Sequence, residues 1–63
     1  MTKSTRLLQL LHILRHRSKR PATAAKLAAE LGISPRTLYR DIDTLRAQGA
    51  DIRGEAGIGY QLH

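Results

Sequence analysis

The residue pattern predicts a mostly α domain with a small β-hairpin, a three-helix core followed by a C-terminal two-stranded hairpin. Three observations carry this reading. Apolar residues recur at helical spacing in three separate segments, helix-capping residues stand at the joints between them, and after Gly49 the pattern switches to period two with glycine punctuation. The chain has 63 residues, which suits a single small domain spanning 1–63.

The first helix is expected over about 4–16, where Leu7, Leu10, Leu11 and Leu14 form one stripe with Leu8 at its margin. Ile13 lies off that stripe, as a lone exposed apolar residue or as part of a contact with another chain. Pro21 stops the helix, and Thr23 is the N-cap of a second helix over about 24–31, with Ala24, Leu27, Ala28 and Leu31 on one face. Gly32 ends it in the left-handed conformation that a sharp turn requires. Ser34 and Pro35 then start a third helix, the hydroxyl capping free backbone donors and the proline occupying the first helical position. It runs over about 35–48 with Leu38, Ile42 and Leu45 inward, and Gly49 closes it. Over about 51–63, Ile52 and then Ile58, Tyr60 and Leu62 alternate with more polar neighbours, and Gly54, Gly57 and Gly59 mark a glycine-rich hairpin. Two strands alone are marginal in water, so the hairpin must pack on the helices.

The core is thin and aliphatic: ten Leu, five Ile and eight Ala, with no Val, Phe or Trp. There is no cysteine, which removes disulfides and thiolate metal sites and is compatible with a reducing cytoplasm, the expected location. No apolar run approaches the roughly 18 residues of a spanning helix, so no membrane partner is expected. Eleven Lys and Arg against five Asp and Glu give +6 at pH 7, the sign of a surface that meets a polyanion. That excess sits in the first twenty residues, which hold Lys3, Arg6, Arg15, Arg17, Lys19 and Arg20 and no acid. The dense run from Arg15 to Arg20 reads either as a disordered basic arm or as a helix end whose cations face its negative dipole.

Two helices joined by Gly32-Ile33-Ser34, the second opening on Ser-Pro and carrying outward arginines, form a helix-turn-helix, and the following hairpin is its wing. With Leu38, Ile42 and Leu45 inward, Arg36, Arg40, Asp43 and Ala47 point outward, with Thr37 and Thr44 on one flank and Tyr39 on the other. Arg36, Thr37, Tyr39 and Arg40 are the candidates for reading DNA bases. Arg36 and Arg40 are a like-charge pair four residues apart, which disfavours an isolated helix and points to an anion or a guanine edge completing the site. The competing reading is that Arg40 pairs with Asp43. Thr23, Lys26, Ser34 and Arg53 are the candidates for DNA phosphate, the first and third through helix N-termini that also need them as caps. Glu55, near the hairpin tip, opposes phosphate there.

The run LAAELGISPRTLYRDIDTLRAQGADIRGEAGIGYQL resembles the N-terminal winged helix-turn-helix (HTH type 11) of bacterial transcription regulators of the WYL-domain group, allied to DeoR-type repressors and to the biotin repressor's N-terminal domain. Counting RLLQLLHIL as the first helix, the resemblance spans nearly the whole chain, and SPRTLYRDIDTLR and the GxGY hairpin are its most specific parts. It implies that the SPRTLYRDI helix is the recognition helix, with Ser34, Arg36, Thr37, Tyr39 and Arg40 on DNA. Such proteins usually continue into a C-terminal effector-sensing and oligomerising domain, so the resemblance implies a homodimer joined through such a domain.

No enzyme is expected. Asp41 and Asp43 are two apart on a helix and cannot share a substrate, and no nucleophile, base and orienter stand together. The hairpin glycines precede no helix and so do not cradle a phosphate. His12 and His16 have a spacing that can bring two imidazoles to one metal, yet beside Arg15 and Arg17 and without cysteine they read as a solvated basic face. No metal, cofactor or small-molecule site is therefore expected. The leading function is sequence-specific binding of double-stranded DNA, by a homodimer because one module covers only a few base pairs, with Leu10 and Ile13 as a candidate seam. The alternative is a protein-interaction winged helix without sequence readout. RNA binding ranks last, since only Tyr39 and Tyr60 are aromatic.

Overall fold

The computed structural model describes residues 2–16, 20–55 and 57–63. In chain order it runs α1 (Lys3–His16), α2 (Ala24–Leu31), α3 (Pro35–Ala47), β1 (Ile52–Glu55) and β2 (Gly59–Leu62). The two strands are antiparallel neighbours, so three helices plus a hairpin make a winged helix-turn-helix. Of the basic run, Arg17, Ser18 and Lys19 lie outside the described residues.

Local chemistry accounts for each helix end. The Thr23 hydroxyl accepts from the Lys26 N–H at 3.3 Å, and Gly32, at φ 68°, lets the Ile33 N–H reach back to the Ala28 carbonyl at 3.0 Å. Ser34 caps α3 by accepting from the Thr37 N–H at 3.2 Å, with Pro35 in the first turn. Gly49, at φ 100°, closes it, the Ala50 N–H bonding to the Leu45 carbonyl at 3.0 Å. Leu7, Leu10, Leu14, Leu27, Leu31, Leu38, Ile42 and Leu45 then bury together with Ile52 and Tyr60 from the hairpin.

Two apolar placements differ from the pattern. Ile13 is half-buried and packs on the core, because α1 is flanked by both α2 and β2 and its buried sector is wider than the leucine stripe. Leu10 is 0% exposed and cannot meet another chain, which removes the Leu10–Ile13 seam. The apolar residue α1 leaves outside is Leu8, 68% exposed. Ile58 does not join the inward alternation either: it sits in the turn ahead of β2, 73% exposed, with its N–H bonded to the Glu55 carbonyl at 3.2 Å.

The hairpin is not left as two strands. Ala22, between α1 and α2, pairs with Tyr60 through both backbone bonds, Ala22 N–H to the Tyr60 carbonyl at 3.1 Å and Tyr60 N–H to the Ala22 carbonyl at 2.7 Å. Glycine at position 59 permits this approach, since a Cβ there would lie 2.8 Å from the Cβ of Pro21, and its φ is +122°. On the other edge, Arg46 of α3 donates from Nε to the Ile52 carbonyl at 2.9 Å and from Nη2 to the Gly54 carbonyl at 3.4 Å. Its guanidinium also lies 5.7 Å from the centre of the Tyr60 ring. Both sides of the hairpin are thereby tied to the helical core.

Candidate nucleic-acid interface

The interface is built on α3, whose inner face is fixed by Leu38, Asp41, Ile42 and Leu45, all buried. Three of these are the apolar residues that the period requires. The fourth is a carboxylate at 1% exposure, and it is satisfied by Arg6 of α1: Nε donates to Oδ2 at 2.6 Å and Nη2 to Oδ1 at 2.9 Å. This fork joins α1 to the middle of α3, immediately after Arg40. The Asp41 hydrogen bond, opposed by burial and reinforced by its charge, raises the Arg6 guanidinium above its ordinary value.

With Asp41 facing in, the rotation of α3 puts Arg36, Tyr39, Arg40 and Asp43 on the exposed side. Among the described residues, Arg36 and Arg40 make no ion pair and no side-chain hydrogen bond. The Arg40–Asp43 pairing is therefore not formed. Tyr39 is exposed at the flank, while Thr37 and Thr44 are half-buried. Thr44 turns its hydroxyl to the Arg40 carbonyl at 2.9 Å, and Thr37 accepts from the Ser34 hydroxyl at 3.1 Å. Ser34 is thus committed to the cap through both its lone pair and its proton, and Thr37 keeps only its own hydroxyl proton to offer.

The phosphate candidates fall in three places. Thr23 and Lys26 are exposed at the start of α2, and Ser34 is exposed at the start of α3. Arg53 belongs to β1 and is held by its own neighbour, Nε and Nη2 each 3.1 Å from the two carboxylate oxygens of Asp51. That hydrogen bond keeps the Asp51 carboxyl below its ordinary value and the Arg53 guanidinium above its own. A phosphate reaching Arg53 must compete with this carboxylate. Tyr60, beneath Arg46, is raised by burial and by the nearby Tyr39, with Arg46 pulling the other way and Asp43 and Glu55 adding to the rise.

Pattern reading missed Arg6, Asp41, Ala22 and Arg46. For Asp41 the signal was present: residues 38, 41, 42 and 45 follow the i, i+3, i+4, i+7 rule, so a carboxylate stood at a core position and required a cation. Among the described residues, no group of three or more His, Asp or Glu side chains could hold a metal, and no helix is long and apolar enough to cross a membrane.

A family model described as "HTH domain" matches residues 6–61. No curated protein and no solved structure gives a significant match.

Proposed function

The chain belongs to this HTH domain family, which supports DNA binding through the helix-turn-helix, and from that premise we propose that it is the sequence-specific double-stranded DNA-binding unit of a bacterial transcription regulator. In this reading α3 enters the major groove. The observation that carries it is the division of labour among the arginines. Arg6, Arg46 and Arg53 are engaged by Asp41, by hairpin carbonyls and by Asp51, whereas Arg36 and Arg40 stand exposed one turn apart on α3, with no partner among the described residues. Two like charges at that spacing cost an isolated helix about 0.2–0.5 kcal/mol, a cost that a guanine edge or a phosphate between them reverses.

Thr37 and Tyr39 flank the two arginines as further base-reading candidates, and Thr23, Lys26 and Ser34 are the phosphate candidates, with Arg53 only where DNA displaces Asp51. The mechanism is binding without chemistry. Useful specificity takes two copies on half-sites roughly one helical turn apart, so the working form is a homodimer. The resemblance to WYL-domain regulators supplies the cellular setting, a cytoplasmic regulator.

Selection of the purified chain on a random duplex pool at near-physiological salt, followed by sequencing of the bound fraction, tests this. The expected result is a recovered motif, as an inverted repeat when two copies bind. A bound pool that stays random, even when two copies are covalently joined, refutes sequence readout and moves the protein-interaction reading ahead.

A further inference from the structure

His12 and His16 are both exposed on α1, one helical turn apart. Their Nε2 atoms lie 3.0 Å from each other, with the rings edge to face at 77°. Two nitrogens bound at about 2.0–2.1 Å to one ion stand roughly 2.9–3.4 Å apart for coordination angles between a right angle and tetrahedral. The spacing in α1 falls inside that range without any change in the helix. We propose that His12 and His16 form a two-nitrogen chelate for a divalent late transition-metal ion, Cu(II), Ni(II) or Zn(II), with water in the remaining positions.

Donor chemistry selects this class of ion. Imidazole nitrogen suits Zn, Cu and Ni, whereas Mg and Ca demand oxygen ligands. In the free chain one ring donates and the other accepts across the Nε2–Nε2 contact. On binding, the donor ring's Nε2–H bond breaks and that proton passes through solvent to Nδ1 of the same ring, so both Nε2 lone pairs turn to the ion and displace two of its waters. Once bound, the ion ties the last turn of α1 across residues i and i+4, directly ahead of the segment that delivers Ala22 to the hairpin.

The test uses the whole chain stripped of metal and titrated with Zn(II), followed by calorimetry and by NMR of the imidazole signals. We expect one ion per chain, joint perturbation of the His12 and His16 resonances with His63 unmoved, and a rise in Tm. His12→Ala and His16→Ala should each weaken binding about tenfold or more, since a second ligand on the same helix acts at high effective concentration. The double variant should bind at least as weakly as either single one. Both positions are exposed, so the variants keep the fold, which an unchanged circular dichroism spectrum verifies. Equal affinity of wild type and the single variants, or loss of binding on His63→Ala, overturns the proposal.

Discussion

Replacing Asp41 by Asn keeps the shape of the side chain and removes the charge that holds α1 against α3. Asp41 is 1% exposed and receives two hydrogen bonds from one guanidinium, so the variant turns an amide N–H toward a donor and leaves a cation without its partner. Removing one member of a fully buried pair costs about 3–5 kcal/mol. The Arg6 side chain is 20% exposed and can partly rehydrate, which brings the Asp41→Asn loss to or below the bottom of that range. We expect about 2–3 kcal/mol, against a total stability of roughly 3–9 kcal/mol for a domain of this size. In thermal unfolding that is a fall in Tm of about 8–24 °C. Far-UV circular dichroism with heat and with urea measures it. A second variant isolates the pair from the packing: Arg6→Met combined with Asp41→Leu fills the same space without charge and should recover most of the loss. An Asp41→Asn variant within about 0.5 kcal/mol of wild type, or a double variant no better than the single one, refutes the argument.

Three further outcomes follow from the same contacts. If Arg36 or Arg40 reads a guanine, its replacement by Ala costs about 1–3 kcal/mol at one base position in a competition binding assay, while an equal loss on every sequence identifies a phosphate contact. Gly59→Ala introduces a Cβ 2.8 Å from Pro21 at a φ of +122° and should cost about 1–3 kcal/mol in urea unfolding. Gly57→Ala, with open space at its Cβ, should be neutral in the same experiment, and equal effects at the two positions would refute the role given to the Pro21–Ala22 contact. The carboxyl of Asp51 is held below its ordinary value of 3.8 by Arg53, so the folded state binds this proton less readily than the unfolded state. Its contribution to stability is present above that value and is lost as pH falls through the lowered folded value; urea midpoints from about pH 5 to about pH 2 should therefore fall less steeply in Asp51→Asn.

The parts of the fold legible in the pattern are those set by near neighbours. Thr23, Gly32, Ser34, Pro35 and Gly49 each act within a few residues of where they stand, so cap and turn chemistry suffices to separate the helices. The outward face of α3 is legible for the same reason, being the complement of Leu38, Ile42 and Leu45. What stayed hidden depends on distant partners. Arg6 and Asp41 are thirty-five residues apart, and nothing in periodicity says which cation answers a carboxylate at a core position. The Ala22–Tyr60 pairing is a single backbone bridge without an alternating segment to announce it. Ile58 was misplaced because alternation does not say where the turn ends: β2 begins at Gly59, and the residue before it faces solvent.

These contacts also change what the net charge of +6 says about DNA. Composition offers eleven Lys and Arg, yet Arg6, Arg46 and Arg53 already serve the fold. On α2 and α3 the exposed cations with neither an ion pair nor a side-chain hydrogen bond among the described residues are Lys26, Arg36 and Arg40. If these alone neutralise phosphate, log affinity should fall with log salt at a slope of about −2.7 per module. Engagement of the exposed Arg15 and Arg20 from the basic run steepens it to about −4.5. Titrations of one duplex over a range of salt separate the two, and Lys26→Ala should flatten the slope by about 0.9 in either case. A slope near zero would mean that the positive surface serves solubility, and the assignment of α3 to the major groove would fail with it.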